Sequence, residues 1–491
     1  MFNNQLTKVR LEKAARLESF GNNPFGAIED NKPSSTISMC RAVGERVIND
    51  NAKDILSDLR MTLNGRVVLL RKMGKSGFLT IQQDGVRIQI FLSLSDLEDN
   101  FRIFKNGMDI GDIVSVKGYL FLTKTEELTL HAESIKVLTK ALLPLPEKFH
   151  GLEDQETKYR KRHLDMITNQ ESVEVIKNRS KILNLIRSQL LSQDFTEVET
   201  PVLNDIPGGA NAKPFETYYN ALGQDRYLRI APELYLKKLI IGGLESVFEI
   251  GKNFRNEGLD ATHNPEFTSV EFYKSYIDYK DLIEIIKKML IVINNSLNNG
   301  NDILVYQDLE IDFSKTLEIS YQNALETIGG VPTGILRDID STRTYCTDLG
   351  LVVEEASHGK MWEILFDENV ESKIVNPTFI TDYPVDISPL AKRNDSDSFL
   401  TDRFELFIAG REIANGFNEL SDPVDQYERF MSQVATKDSD DESMHMDSSF
   451  VEALMQGMAP TAGAGLGIDR LVMLFTNQRS IKDVIAFPAM R

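Results

Sequence analysis

Residues 247–273 read VFEIGKNFRNEGLDATHNPEFTSVEFY, two alternating apolar and polar runs joined by a polar turn that contains Gly258, Asn264 and Pro265. That pattern predicts a β-hairpin. Strand side chains alternate with period two, so Glu249, Gly251, Asn253 and Arg255 share a face of the first run, and Phe267, Ser269, Glu271 and Tyr273 share one of the second. A planar guanidinium suits a phosphate, an aromatic ring suits a purine, and an acid beside a hydroxyl suits a cation. Standing alone, the same face also reads as a solvated hairpin surface.

A second hairpin is expected over residues 402–420, DRFELFIAGREIANGFNEL, with Ala409 and Gly410 at its turn. Such a loop sets Glu405 opposite Ala414, with Glu412 a diagonal neighbour on the same face. Diagonal Cβ atoms lie roughly 7–8 Å apart, within reach of one divalent ion. Solvated structural carboxylates are the competing reading. Asn415, Phe417 and Glu419 fall on the opposite phase, and a bulge at Gly416 would bring both sets to one pocket, so irregular pairing is expected near Asn415 and Gly416.

Working outward, residues 463–470 read GAGLGIDR ahead of an apolar helix, LVMLF. Core packing alone would explain the alternating glycines. Arg470 opposes the dipole of the helix it begins, which implies a compensating ligand anion. Residues 171–193 predict a helix with Ile176, Leu183, Ile186 and Leu190 in one apolar stripe, and FTEVETP (195–201) then switches to strand alternation and stops at proline. The loop at Pro207, Gly208, Gly209 and Ala210 is of a type that closes over ligands. Residues 231–237, APELYLK, start a helix with Glu233 in its first turn, where the helix dipole alone would favour an acid.

The N-terminal part has a different character. Residues 5–20 predict a basic helix ending at Gly21, either solvated or in contact with RNA phosphate. Residues 61–139 break into five short β-type runs punctuated by Gly and Asp, which fits a small OB-fold barrel. Arg71, Phe78 and Gln89, with Glu127 in the loop before the last strand, are candidates for contacts to unstacked bases or, equally, core and surface residues.

A chain of 491 residues accommodates two or three domains. Its net charge of −19 disfavours a generic nucleic-acid binder, yet residues 60–150 hold 13 Lys/Arg against 10 Asp/Glu, an asymmetry that hints at a nucleic-acid module. Cys40 and Cys346 stand far apart without metal or redox spacing, which fits a reducing cytoplasm. No apolar run approaches the ~20 residues that span a bilayer, so no membrane association is expected. The acidic stretch at residues 436–449 reads as a solvated loop, and Met444, His445 and Met446 do not make a metal site.

The opening hairpin, with FRNE at 254–257 and HNPEF at 263–267, resembles motif 2 of the class II aminoacyl-tRNA synthetases in its lysyl form. Residues 171–201 resemble motif 1 and residues 463–470 resemble motif 3, where Ala464 and Leu466 vary from common choices while every glycine is kept. ALLPLPEKFHGLEDQETKYRKRHL (141–164) resembles the lysyl enzymes' interdomain linker, with His163 where Tyr is more usual, and DVIAFPAMR at the end is similar to theirs. The likeness covers nearly the whole chain after about residue 60, and the sequence is identified as a member of the bacterial-type class II lysyl-tRNA synthetases.

The resemblance implies an α+β chain: an N-terminal OB-fold β-barrel plus a class II catalytic domain with an antiparallel β-sheet flanked by helices. Residues 1–59 would be a helical extension, 60–141 the anticodon-binding barrel, 142–164 a linker and 165–491 the catalytic domain. It further implies ATP binding by Arg255, Glu257, His263, Asn264, Phe267, Glu405, Glu412 and Arg470, with Arg255 and Arg470 catalytic. Glu405 and Glu412 would hold Mg²⁺. Lysine would be bound by Gly209, Glu233, Glu271, Tyr273, Asn415, Phe417 and Glu419, and the anticodon of tRNA(Lys) by Arg71, Phe78, Gln89 and Glu127. A cytoplasmic homodimer joined through motif 1 is expected. Residues 300–370 receive no role. An aspartate or asparagine enzyme, a ligase that lysylates protein, and an inactive RNA-binding paralogue are the competing readings.

Overall fold

The computed structural model describes residues 4–26, 28, 31–146, 152, 154–210, 212–353, 356–435 and 447–491, without the side chains of 433–435. Most of the acidic stretch, with Met444, His445 and Met446, lies outside the described residues, as does part of the linker. The chain divides into two compact units, Met1–Val173 and Glu174–Arg491.

In the first unit, strands Arg60–Met73, Ser76–Gln83, Val86–Ser93, Ile113–Leu122 and Leu128–Thr139 close into the expected five-stranded barrel. Alternation fills it: Leu63, Val67, Leu79, Ile81, Ile88 and Ile90 point inward and are buried. The helix Gln5–Ser19 ends before Gly21, whose φ of +77° matches the expected C-terminal cap. Two of its four cations serve the unit itself. Arg10 donates to the Ala141 carbonyl at 2.8 Å, and Lys13 pairs with Asp109 at 2.5 Å. A helix over Ile37–Asn49, capped by Thr36, was not legible in the mixed sequence there.

The second unit is built on an eight-stranded sheet. Its six central strands run antiparallel in the order Thr378–Pro384, Leu400–Phe407, Glu412–Asn418, Thr461–Gly467, Glu266–Ser275 and Ser246–Phe254. Leu317–Ser320 and the two-residue strand Thr196–Glu197 add parallel edges. One face of the sheet is apolar: Phe248, Val270, Phe272, Phe404, Leu406 and Leu466 pack with the helices Gln170–Leu191, Tyr279–Leu297 and Ile468–Phe475. By period two, the polar alternates all face the other way.

The helix Gln170–Leu191 buries Val175, Ile182, Ile186 and Leu190. The expected stripe named Ile176 and Leu183 in place of the first two; these flank the seam and are half-buried. The buried Asp469 ties this helix to the sheet, pairing with Arg179 at 2.6 Å and accepting the Thr268 N–H at 2.7 Å. Among the described residues no helix is long and apolar enough to cross a membrane.

Candidate active site

The first hairpin pairs as its alternation predicts. Glu249 lies opposite Glu271, Gly251 opposite Ser269 and Asn253 opposite Phe267, so one face carries all of them. Arg255 continues past the strand end, its N–H donating to the Pro265 carbonyl at 2.9 Å. Its guanidinium lies 5.0 Å from the centre of the Phe267 ring.

The second hairpin turns at Ala409 and Gly410, both with positive φ, closed by reciprocal bonds between Ile408 and Arg411. Its register differs from the expected one. Glu405 lies opposite Asn415, not Ala414, and the irregularity falls between the pairs Leu406–Ala414 and Phe407–Glu412. The extra residue is therefore Ile413, and Gly416 is regular. A bulge at Ile413 re-aims Glu412 relative to Asn415 and Phe417, which brings both sets to one side. Gly416 instead admits the Phe404 ring, which lies 2.7 Å from where its Cβ would be.

Between the two hairpins runs Thr461–Gly467, pairing with Glu266–Ser275 on one side and Glu412–Asn418 on the other. Its Ala462, Ala464 and Leu466 enter the core while Gly463 and Gly465 face the polar side. A Cβ at Gly463 would strike the Tyr273 ring and Glu419 Oε1, and one at Gly465 would lie 3.3 Å from Glu271 Cγ. The glycines are the floor of a cavity of about 490 Å³.

Arg255, Glu257, His263, Asn264, Phe267, Glu405, Glu412, Arg470, Gly209, Glu233, Glu271, Tyr273, Asn415 and Phe417 all line that cavity. Glu419 lies beneath it, 3% exposed, in contact with the ammonium of Lys237. Asn264 is committed locally, its amide bonding the Glu266 carbonyl at 2.6 Å and the Ala489 N–H at 3.3 Å. Gly209, at a φ of +87°, packs its loop against Ala231 and Glu233.

At one end of the cavity lie the acids. Tyr273 donates to Glu271 Oε2 at 3.2 Å. Burial, with the charge of Glu233 second, pushes the Glu271 carboxyl up to about 8. Burial likewise pushes Glu419 up to about 8, against the pull of Lys237. Glu249 is not part of this set: it is closed off by Arg229 at 2.5 Å and Thr200 Oγ1 at 2.6 Å.

At the other end, Glu405 accepts from Arg403 at 2.6 Å and from Tyr383 at 3.0 Å, and burial raises it to about 7, with the charge of Glu412 adding to the rise. Arg470 donates to the Glu412 carbonyl at 2.8 Å and sits 3.3 Å from its carboxylate. The anion expected to offset the helix dipole at Arg470 is thus supplied in part by Glu412. Among the described residues no group of three or more His, Cys, Asp or Glu is placed to hold a metal. Glu405 and Glu412 both line the cavity, carboxylates are the oxygen donors a magnesium ion shares with substrate phosphates, and a cation beside them would offset the part of the Glu405 rise that comes from Glu412.

Sequence reasoning missed Lys237, Arg403, Arg229 and Asp469. Lys237 stands one helical turn after Glu233, and Arg403 two residues before Glu405, so each shared a face with a residue already singled out.

On the barrel, the register sets Arg71, Phe78, Phe91, His131, Tyr119 and Arg60 side by side in one row. Phe78 and Phe91 are 5.1 Å apart, and Tyr119 stacks on His131 at 4.8 Å. Gln89, two residues from Phe91 on the same strand, bonds Thr129 at 3.2 Å. Glu127 is exposed, 3.8 Å from Arg41. The row contains three aromatic rings that the sequence reading did not name, and half-buried rings on an outer strand face make a stacking platform.

A family described as tRNA synthetases class II (D, K and N) matches residues 154–491, and one described as an OB-fold nucleic acid binding domain matches residues 61–138. The chain belongs to the class II tRNA synthetases. Over its whole length it is 50% identical to a lysine–tRNA ligase of Helicobacter pylori strain G27, covering 98% of that protein, and 50% identical to one of Aliarcobacter butzleri, covering 97%. A lysine–tRNA ligase of Helicobacter hepaticus is 46% identical, with 95% covered. Within the class, its place is with the lysine–tRNA ligases.

The raised carboxyl of Glu271 makes a prediction for the ligand-free protein. The folded state keeps this proton above the pH at which an unfolded chain loses it, so the residue costs stability as pH rises from about 4.5 to about 8. Glu271→Gln removes that cost. Thermal unfolding should show the variant gaining on the wild type by up to about 1.4 kcal/mol per pH unit across this window, with no gain at pH 4; a pH-independent difference contradicts the assignment.

Proposed function

We infer that this chain is an ATP-dependent lysine–tRNA ligase. It activates L-lysine as lysyl-adenylate with release of pyrophosphate, then transfers the lysyl group to the 3′-terminal ribose of tRNA(Lys) with release of AMP. The observation that carries the reading is the acid set on the glycine floor, where Glu271, Tyr273 and Glu419 close over Gly463 and Gly465 and burial raises the Glu271 carboxyl so that it keeps its proton without a substrate cation. A substrate ammonium displaces that proton and pairs the acid. A pocket for aspartate would present a cation at this point.

The substrate carboxylate is the nucleophile, so no side-chain nucleophile is needed. Arg255, with its buried Nε lacking a partner, takes the α-phosphate and the charge that develops there. Phe267 carries Arg255 on one face and has the other for adenine. Arg470 meets the far phosphates, and Glu257 and His263 complete the nucleotide pocket while Asn264 holds the turn. Glu405 and Glu412 hold Mg²⁺, which when bound neutralises phosphate charge. Gly209 and Glu233 receive the α-amino group; Glu271, Tyr273 and Glu419 receive the side-chain ammonium; Asn415 and Phe417 wall the pocket. Catalysis on this account comes from alignment and charge stabilisation.

The barrel, residues 60–141, serves the anticodon through Arg71, Phe78, Gln89 and Glu127, with unpaired bases stacking on the aromatic row. The two cysteines, both free and buried, fit a cytoplasmic protein. Leu191 within the motif 1 segment, and Val202, Leu203, Ile206, Tyr218 and Tyr219 following it, are exposed apolar side chains, which supports a homodimer.

Two experiments test this reading. Arg255→Ala should lower lysine-dependent exchange of pyrophosphate into ATP by roughly 10²-fold or more, with tRNA binding within about twofold of wild type; equal loss of both contradicts the role. Sedimentation of the full chain at micromolar concentration should give the mass of two copies, and a stable monomer contradicts the motif 1 interface.

A further inference from the structure

Lys237 is a fully buried lysine on the helix Glu233–Ile241, with no exposed side-chain surface. Its ammonium lies 2.6 Å from Glu233 Oε1 and also pairs with Glu419. The rings of Phe417 and Phe450 lie 5.5 and 5.8 Å from it. It does not line the cavity; it sits behind two of the acids that serve it.

We propose that Lys237 is a specificity-determining positioning residue, a resident ammonium that balances one of the pocket's three carboxylates and so leaves two for the two ammonium groups of the substrate. The inference rests on lysine being the substrate.

The count follows from the charged groups that face this end of the site. The helix contributes Glu233 and Lys237; the first hairpin contributes Glu271 and Tyr273, with Arg255 at its end; the second contributes Glu419. Arg229 and Glu249 also face it, but they neutralise each other at 2.5 Å. Three carboxylates then stand against one ammonium. Lysine brings two ammonium groups, and its carboxylate, the nucleophile, points away from this acidic end toward the α-phosphate held by Arg255. The sum closes with no buried charge left over, which matters because an unpaired charge in such a site is strongly unfavourable.

Lys237 remains charged for the same reason. Burial pulls its ammonium down, and the charges of Glu233 and Glu419 more than offset that pull. An amino acid with one ammonium group leaves Glu271 to keep its proton, so it gains one charge pair where lysine gains two and binds more weakly even where it fits by shape. Without Lys237, lysine itself would leave one acid with no ammonium partner.

The test is lysine-dependent exchange of pyrophosphate into ATP by the full chain, comparing wild type with Lys237→Met, Glu419→Gln and the double variant. Each single variant unbalances the pocket, in opposite senses, and the double rebalances it. Each single should raise the KM for lysine by at least about tenfold with the KM for ATP within about twofold, and the double should have a lower KM for lysine than either single. An unchanged KM in folded Lys237→Met overturns the inference, as does a double variant no better than the better single. Should Lys237→Met not fold, Lys237→Gln, one atom shorter but still able to hydrogen-bond and without the charge, carries the same comparison. Absence of lysine-dependent exchange in the wild type contradicts the proposed function instead.

Discussion

The site depends on a strand left bare at Gly463 and Gly465 on one face. Thr461–Gly467 lies between the two hairpins, and its Gly463 and Gly465 let Tyr273, Glu271 and Glu419 come together over bare backbone. The same strand places Ala462, Ala464 and Leu466 in the core on its other face. Period two thus divides one seven-residue segment between packing and recognition. Alanine at Gly463 would fill the space that holds the Tyr273 ring and Glu419, so the position is constrained by close approach and not by backbone angle.

A rigid platform makes the electrostatics possible. Asp469 joins the helix Gln170–Leu191, the strand Glu266–Ser275 and the helix Ile468–Phe475 through bonds of 2.6 and 2.7 Å. Held on that frame, Glu271 and Glu419 at one end and Glu405 at the other are raised to about 8, about 8 and about 7. Each pKa unit corresponds to about 1.4 kcal/mol, so burial disfavours the Glu271 carboxylate by on the order of 5 kcal/mol relative to its exposure in water. The acids are destabilising in the empty protein, and their pairing with a bound cation recovers that cost on binding.

Much of this arrangement was legible in the sequence, because strand alternation is short-range. The face of the first hairpin, the turn at Ala409 and Gly410, and the five-stranded barrel follow from patterning and turn chemistry. Features set by contacts distant in sequence did not. The bulge falls at Ile413, not at Gly416, because Gly416 is needed to admit Phe404 from the neighbouring strand. The helix seam runs through Val175 and Ile182, not Ile176 and Leu183, since the sheet it packs on sets its rotation. Lys237 could not be distinguished from a helix-surface lysine until Glu419 was seen to meet it. The barrel's aromatic row is a property of register across all five strands, visible only once Phe91, His131 and Tyr119 are aligned with Phe78.

The central claim is that charge complementarity in a glycine-floored, acidic pocket selects the amino acid. The most direct measurement is exchange of labelled pyrophosphate into ATP with Mg²⁺ and each of the twenty amino acids in turn. The account predicts exchange with lysine alone, and weak or no exchange with every amino acid that carries a single ammonium group. Robust exchange with a neutral or acidic amino acid, or none at all from folded protein, would contradict it.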